Sequence, residues 1–428
     1  MNIVMVTNTY FPHVGGVARS VESFSREYRR QGHRVLVVAP EFADMPPDEA
    51  DVVRIPAIQN FNGSDFSVVL PVSGLLTETL NTFRPDIVHA HHPYLLGMTA
   101  LRIARYRELP LVFTHHTLYE QYTHYVPGDS PLFRRFVIEL ATRYANLADR
   151  VFAPSESIAG LLHERNVRTS ITVVPTGVNV ERFTPGDCQP FRSTVGLPAE
   201  SFVVGHVGRL APEKNLEFLT QAVAAFLKSD PQAHFLIAGT GPAEADIRAE
   251  FDRLNLSDRL HIVGILGHSQ LVQAYRAMDV FAFSSQSETQ GMVLTEAMAA
   301  GVPVVALDGA GVREVVKEGG NGRLLNTGCV DAFSAAFKWI ADLPLAKRQE
   351  LQKHARQTAE SFAMPHTASK ALACYEALRK QPFRMRPEEF EQWERVRDLI
   401  RTEWSILKGV AGAAGSAIRG REARDSER

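Results

Sequence analysis

Two carboxylates, Glu288 and Glu296, bracket the run Thr289-Gln290-Gly291-Met292-Val293-Leu294-Thr295. The apolar residues 280–283 before it read as a buried strand. Gly301-Val302-Pro303 reads as the stop of a helix, ahead of a further strand at 304–307. A helix entered from the carboxyl edge of a sheet aims unpaired N–H groups at that edge, which makes an anion site. Glu288 then stands at the mouth of the site, with Glu296 about two turns further in. Carboxylates beside an anion accept hydrogen bonds from hydroxyls, so the pattern fits a ligand that carries both phosphate and sugar.

A second segment supplies the opposite charge. Gly208-Arg209-Leu210-Ala211-Pro212-Glu213-Lys214-Asn215 follows a predicted strand at 203–207 and brings Arg209 and Lys214 to one loop. A nucleoside diphosphate gains negative charge as the glycosidic bond to it breaks, and fixed cations stabilise that charge most in the transition state. Arginine grips phosphate oxygens through a planar fork, whereas lysine acts as a point charge. Asp-x-Asp, an acidic pair suited to a divalent metal, occurs nowhere in the chain. The two cations and a helix N-terminus are therefore expected to replace a metal, and no cofactor is expected. Paired glycines at Gly15-Gly16 and at Gly239-Thr240-Gly241 let backbone approach a phosphate or sugar closely, or simply form tight turns. His89, His91 and His92 cluster at another strand end without carboxylate or cysteine at metal-site spacing, so they read as hydrogen-bonding rather than metal-binding groups.

Elements that position such residues are legible as alternation. Short β-rich runs at 3–7, 34–39, 52–55, 87–90, 111–114, 150–153 and 171–174 are interleaved with amphipathic stretches such as 18–31 and 132–147. The pattern repeats at 203–207, 235–238, 260–263, 280–283 and 304–307. Alternation of this kind predicts an α/β protein of two doubly wound, Rossmann-like domains facing across a cleft lined by their carboxyl-edge loops. Expected boundaries are 1–200 for the first domain and 201–362 for the second, with the linker near Pro185-Gly186. A stretch at 351–378 reads as helical, and its part 363–380 is expected to cross back to the first domain. Residues 381–428 form a charged amphipathic tail, in which Phe390, Trp393, Val396, Ile400, Trp404 and Leu407 recur at helical spacing. The tail fits a helix docked on protein or one lying in a membrane interface.

The 428 residues carry a formal charge of −2, which excludes a globally basic nucleic-acid binder. Three scattered cysteines fit reduced thiols in the cytoplasm. The start lacks a basic n-region and no apolar run reaches bilayer length, so a cytoplasmic protein, at most peripheral at the inner membrane face, is expected.

Residues 208–214, Glu288-x7-Glu296 and the paired glycines together resemble the retaining glycosyltransferases of family 4, which have the GT-B fold; similar order and spacing extend over residues 1 to 380. The resemblance implies that Arg209 and Lys214 bind the donor diphosphate, that Glu296 binds the ribose, and that Glu288 holds hydroxyls of the transferred sugar. It extends the donor set to Gly15, Gly16, Gly239, Gly241, Thr289, Gln290, Gly291 and Met292. The family histidine maps to His116, with the role of His115 left open. Arg209, Lys214, Glu288 and His116 are then the expected catalytic set. The family also implies front-face displacement with retention, the departing phosphate helping to deprotonate the acceptor.

A narrower likeness concerns the acceptor. The segment from His116 to Pro127, with Ser287-Glu288-Thr289-Gln290-Gly291, is similar to bacterial diacylglycerol glucosyltransferases. Tyr119, Glu120, Tyr122 and His124 would then lie on the acceptor side. UDP-glucose would be the donor and a lipid at a membrane surface the acceptor. A stripe of Leu132, Phe133, Phe136, Val137, Leu140 and Tyr144, flanked by Arg134, Arg135 and Arg143, reads as core or as a membrane-facing surface, to which Phe61 and Phe66 in a polar loop would add apolar contacts. Alternatives are a soluble or polyprenyl-linked saccharide acceptor, and a non-transferase such as a sugar-nucleotide epimerase. Glucose or galactose, uridine or guanosine, and the oligomeric state stay open.

Overall fold

The structure, a computed structural model, describes residues 1–382 apart from 14, 43, 48, 59–67, 70–73, 122, 124–129 and 185. Short aliphatic runs form its strands because a parallel sheet covered by helices buries both faces. In the first lobe these are β1 (Asn2–Val6), β2 (Arg34–Pro40), β3 (Val52–Ile55), β4 (Ala57–Ile58), β5 (Val68–Val69), β6 (Ile87–Ala90), β7 (Leu111–Thr114), β8 (Arg150–Ala153) and β9 (Ile171–Val173). The order β3-β2-β1-β6-β7-β8-β9 makes a parallel seven-stranded sheet, while β4 and β5 pair separately and antiparallel. The second lobe contains β10 (Phe202–Val207), β11 (Ala233–Ala238), β12 (Leu260–Ile262), β13 (Val280–Phe283), β14 (Val304–Leu307) and β15 (Gly322–Leu325), in the parallel order β12-β11-β10-β13-β14-β15. This is the doubly wound, two-lobed architecture expected from the sequence.

Alternation along β1 shows how one sheet serves two cores. Val4 and Val6 face one apolar cluster, with Leu101 and Tyr144. Ile3 and Met5 face the other, with Val21, Phe24 and Tyr28 from the helix Gly16–Arg30. That second cluster also contains Met364, Ala368, Ala371 and Tyr375, so the helix Met364–Arg379 packs on the first sheet. The single helical stretch read at 351–378 is instead two helices, Leu345–Ser361 and Met364–Arg379. They are separated where the chain crosses between lobes. Pro365 stands in the first turn of the second helix, where its missing N–H costs nothing.

The two crossings touch. Val178 N–H donates to Phe362 O and Met364 N–H to Val178 O, both at 2.9 Å. A Cβ on Gly177 would meet Met364 Cα at 2.4 Å, so only glycine admits this approach. Strand order reverses at β1/β6 in the first lobe and at β10/β13 in the second. The crevices outside those carboxyl ends are where an open α/β sheet binds ligands. The tail from residue 383 onward, with its aromatic residues, lies outside the described residues, as do Phe61 and Phe66.

Candidate active site

In the second lobe the loops after β10 and β13 meet at the switch point. Lys214, at the end of the turn Pro212–Lys214, donates to Glu288 Oε1, and each side chain is about four-fifths buried. Serines stitch these loops together. Ser284 Oγ donates to the carbonyls of Lys214 and Asn215 at 2.9 and 3.1 Å, and Ser287 Oγ donates to Glu213 O at 3.2 Å. Arg209 stands on the same loop as Lys214. Beneath them His206, buried on β10, bonds Ala282 O through Nδ1 at 3.1 Å and stacks on Phe281. Burial foremost holds its pKa down to about 4, with nearby Lys214 adding to the effect, so it is neutral at pH 7. A histidine inside an apolar strand was the only sequence signal for it.

Gly239 and Gly241 hold the loop 208–210 in place. A Cβ on Gly239 would meet Gly208 O at 1.9 Å and one on Gly241 would meet Leu210 O at 2.3 Å. Leu210 N–H donates to Thr240 O and Ala243 N–H to Leu210 O, both at 2.9 Å. Their small size is thus required by backbone packing, one layer behind the cations.

Gly291 adopts φ 70°, ψ 58° and opens the helix Met292–Ala299. The two residues before it turn toward the first lobe. Thr289 Oγ1 donates to His116 O at 2.7 Å, and Thr289 O accepts from Ser155 Oγ at 2.7 Å. Gln290, buried, makes a reciprocal pair with the backbone of Thr176, accepting from its N–H and donating to its carbonyl, each at 2.7 Å. As the structure stands, the side chains of Thr289 and Gln290 fasten the lobes together rather than face the anion site.

Glu296 lies on the second turn of that helix, as expected. Its Oε2 accepts from Tyr275 Oη at 2.8 Å, and its Oε1 accepts from Arg19 of the first lobe at 3.3 Å. Sequence gives no sign of the role of Arg19, because its partner is 277 positions away.

Opposite, the ends of β6 and β7 bring histidines together. His91 Nδ1 and His116 Nε2 share a hydrogen bond of 2.8 Å, their rings stacked at 23°. Burial first, then the neighbouring histidines, hold both well below the ordinary histidine pKa. His89, deeper, bonds Thr114 Oγ1 at 2.7 Å and Tyr375 Oη at 2.6 Å. His92 Nδ1 accepts from Asn8 N–H at 3.1 Å. Among the described residues, no group of three His, Cys, Asp or Glu is arranged to hold a metal. Gly15 caps the helix Gly16–Arg30 in extended conformation, and a Cβ on Gly16 would meet nothing within 4 Å.

On the acceptor side, Glu120 pairs with Arg165 at 2.6 Å. Tyr119 is buried against His115 and Tyr94. Tyr122 and His124 lie outside the described residues. The amphipathic helix Pro131–Leu147 resolves the choice offered by its stripe in two halves. Leu140 and Tyr144 are core, and Tyr144 Oη donates to Gly97 O at 2.6 Å. Leu132 is 79% exposed, and Phe133 and Phe136, half-buried, stack beside exposed Arg134 and Arg135. No helix among the described residues is long and apolar enough to cross a membrane.

Comparison with known proteins gives the family and the fold. Residues 14–182 match the family model described as Glycosyltransferase Family 4, and residues 189–358 match Glycosyl transferases group 1. The alpha-monoglucosyldiacylglycerol synthase of Streptococcus pneumoniae is 30% identical over 72% of this chain and 71% of its own. That of Acholeplasma laidlawii is 28% identical over 76% of this chain and 85% of its own. A GDP-mannose-dependent alpha-mannosyltransferase of Mycolicibacterium smegmatis is 30% identical over 88% of this chain and 98% of its own. Among solved structures, Anabaena HepE in complex with UDP superposes with a TM-score of 0.70 at 22% identity, covering 88% of this chain and 100% of that one.

Proposed function

The chain belongs to glycosyltransferase family 4, with the GT-B fold, and from that premise we propose that it transfers a hexose with retention from a nucleoside diphosphate sugar to a membrane glycerolipid. Glucose from UDP-glucose and diacylglycerol are the preferred pair. The observation that carries the reading is the Lys214–Glu288 pair, held on two stitched loops at the switch point of the second sheet. Without a donor the two charges neutralise each other. With one bound, Lys214 and Arg209 turn to the diphosphate and Glu288 to hydroxyls of the sugar, while Glu296 accepts from the ribose. The C1–O bond to phosphate breaks with its electron pair going to the phosphate. The acceptor oxygen bonds C1 on the same face, and its proton passes to the departing phosphate. His116, neutral and oriented by His91, lines the sugar from the first lobe.

Two observations favour the lipid acceptor. The relatives named for monoglucosyldiacylglycerol synthesis match over most of their length. The helix Pro131–Leu147 presents exposed Leu132 with Arg134 and Arg135 at its start, a surface suited to anionic headgroups. The mannosyltransferase relatives, aligned over almost their whole length, favour a second reading in which the donor is GDP-mannose. The test is incubation of the protein with UDP-glucose or GDP-mannose and diacylglycerol in anionic vesicles, with chelator present. An α-glucosyl diacylglycerol is the expected product. Product from GDP-mannose alone would overturn the glucose reading, and transfer only to saccharides would overturn the lipid one. A strict need for divalent metal would overturn the assignment of the leaving group to Arg209 and Lys214.

A further inference from the structure

We propose that Arg19 is a positioning residue of the donor site, supplied by the opposite lobe. In this view it sets the plane of the Glu296 carboxylate, so that ribose recognition is complete only when the lobes are together. The proposal rests on the reading of Glu296 as the ribose acceptor.

Arg19 lies near the N-terminal end of the helix Gly16–Arg30, which has no acidic residue in its first turn. A cation there opposes the helix dipole, so the helix itself gains nothing from it. The nearby carboxylate on the same helix, Glu22, pairs with Arg26 instead. The guanidinium reaches across the cleft to Glu296 Oε1, where both side chains are largely buried. Tyr275, fully buried, holds the other oxygen from within the second lobe, its ring packed edge-on against Phe183. A carboxylate offers about four acceptor directions. One donor on each oxygen leaves one direction on each for a ribose diol, and fixes where both point. With Tyr275 alone, the carboxylate is free to rotate about that single bond. The Arg19–Glu296 pair also stands at a crevice between the lobes lined by Ser23, Asn179, His268 and Thr295, so it borders open space rather than core.

The experiment measures binding of UDP and GDP, and of their 2′,3′-dideoxy forms, to the full chain and to Arg19→Gln and Arg19→Lys. Wild type should prefer the ribose form of its nucleotide by at least about 30-fold, the effect of two hydrogen bonds to a charged group. Arg19→Gln should reduce that preference to about 5-fold or less by weakening the ribose form selectively, and Arg19→Lys should restore part of it. A merely structural role would weaken ribose and dideoxy forms equally and leave the ratio intact, which would overturn the proposal while Glu296 keeps its role. No ribose preference in wild type, or no binding of either diphosphate, would overturn the reading of Glu296 itself.

Discussion

Lys214 and Glu288 are each other's counter-ion in the cleft, so removing one leaves the other's charge about four-fifths buried without it. Glu288→Gln keeps the shape and removes the charge. Turnover should fall by about 100-fold or more, and the protein should still fold but with its unfolding transition lowered by the uncompensated Lys214; steady-state kinetics near wild type would remove Glu288 from the mechanism. The histidines carry a second prediction. His89 and His92 are held down to about 3, and His115 and His206 to about 4, in each case chiefly by burial. Those folded values lie below the unfolded value of about 6.5, so between them the unfolded chain binds more protons and stability falls as pH drops. Each such histidine lowers stability by up to about 1.4 kcal/mol per pH unit in that window. Urea midpoints at pH 7.5 and 5.0 would read the loss, and equal midpoints would show that these rings are not kept neutral. Residue types at strand ends were legible in sequence because charge there is conspicuous, and Glu288 and Lys214 do meet. The turn of Thr289 and Gln290 toward the other lobe was not legible, since it depends on backbone direction just before left-handed Gly291. The partner of Arg19 was equally hidden, being a contact made only by assembly of two domains.

Loops in this protein are built against loops. The segment 239–243 carries 208–210, and serines after β13 carry 213–215. Gly239 has φ 145°, and its missing Cβ is the space that Gly208 O fills. Gly239→Ala should therefore cost about 1–3 kcal/mol and displace the loop bearing Arg209. Calorimetric titration should show nucleotide affinity falling, and unchanged affinity with unchanged stability would mean that the loops yield freely. Strands with continuous apolar runs, such as Val304–Leu307, read directly from sequence. β15 did not, because Gly-Arg-Leu-Leu at a sheet edge has neither an apolar run nor strict alternation. The break between Ser361 and Met364 was also missed, since apolar spacing continues through it and only the crossing between lobes interrupts the helix.

At the scale of the whole molecule, polar groups among the described residues fasten the lobes to each other. Gln290 grips Thr176 twice, Thr289 and Ser155 exchange with opposing backbone, and Glu314 accepts from the N–H groups of Glu156 and Ser157 at 2.8 Å each. Polar contacts exchange readily with water, which suits lobes that separate and rejoin around a ligand. Gln290→Ala removes two of these bonds, each worth about 1 kcal/mol net. Without nucleotide its radius of gyration by small-angle scattering should exceed that of wild type; identical scattering would show that the lobes are held by other means. The helix Met364–Arg379 has a different bearing, on how the protein is made. Tyr375 bonds His89 and Tyr28 in the centre of the first lobe, yet it leaves the ribosome only after the whole second lobe has been synthesised. The nascent first lobe must therefore wait, that face covered only in part by the helix Gly16–Arg30, through the translation of roughly two hundred further residues. Its earliest strands reach their final packing last.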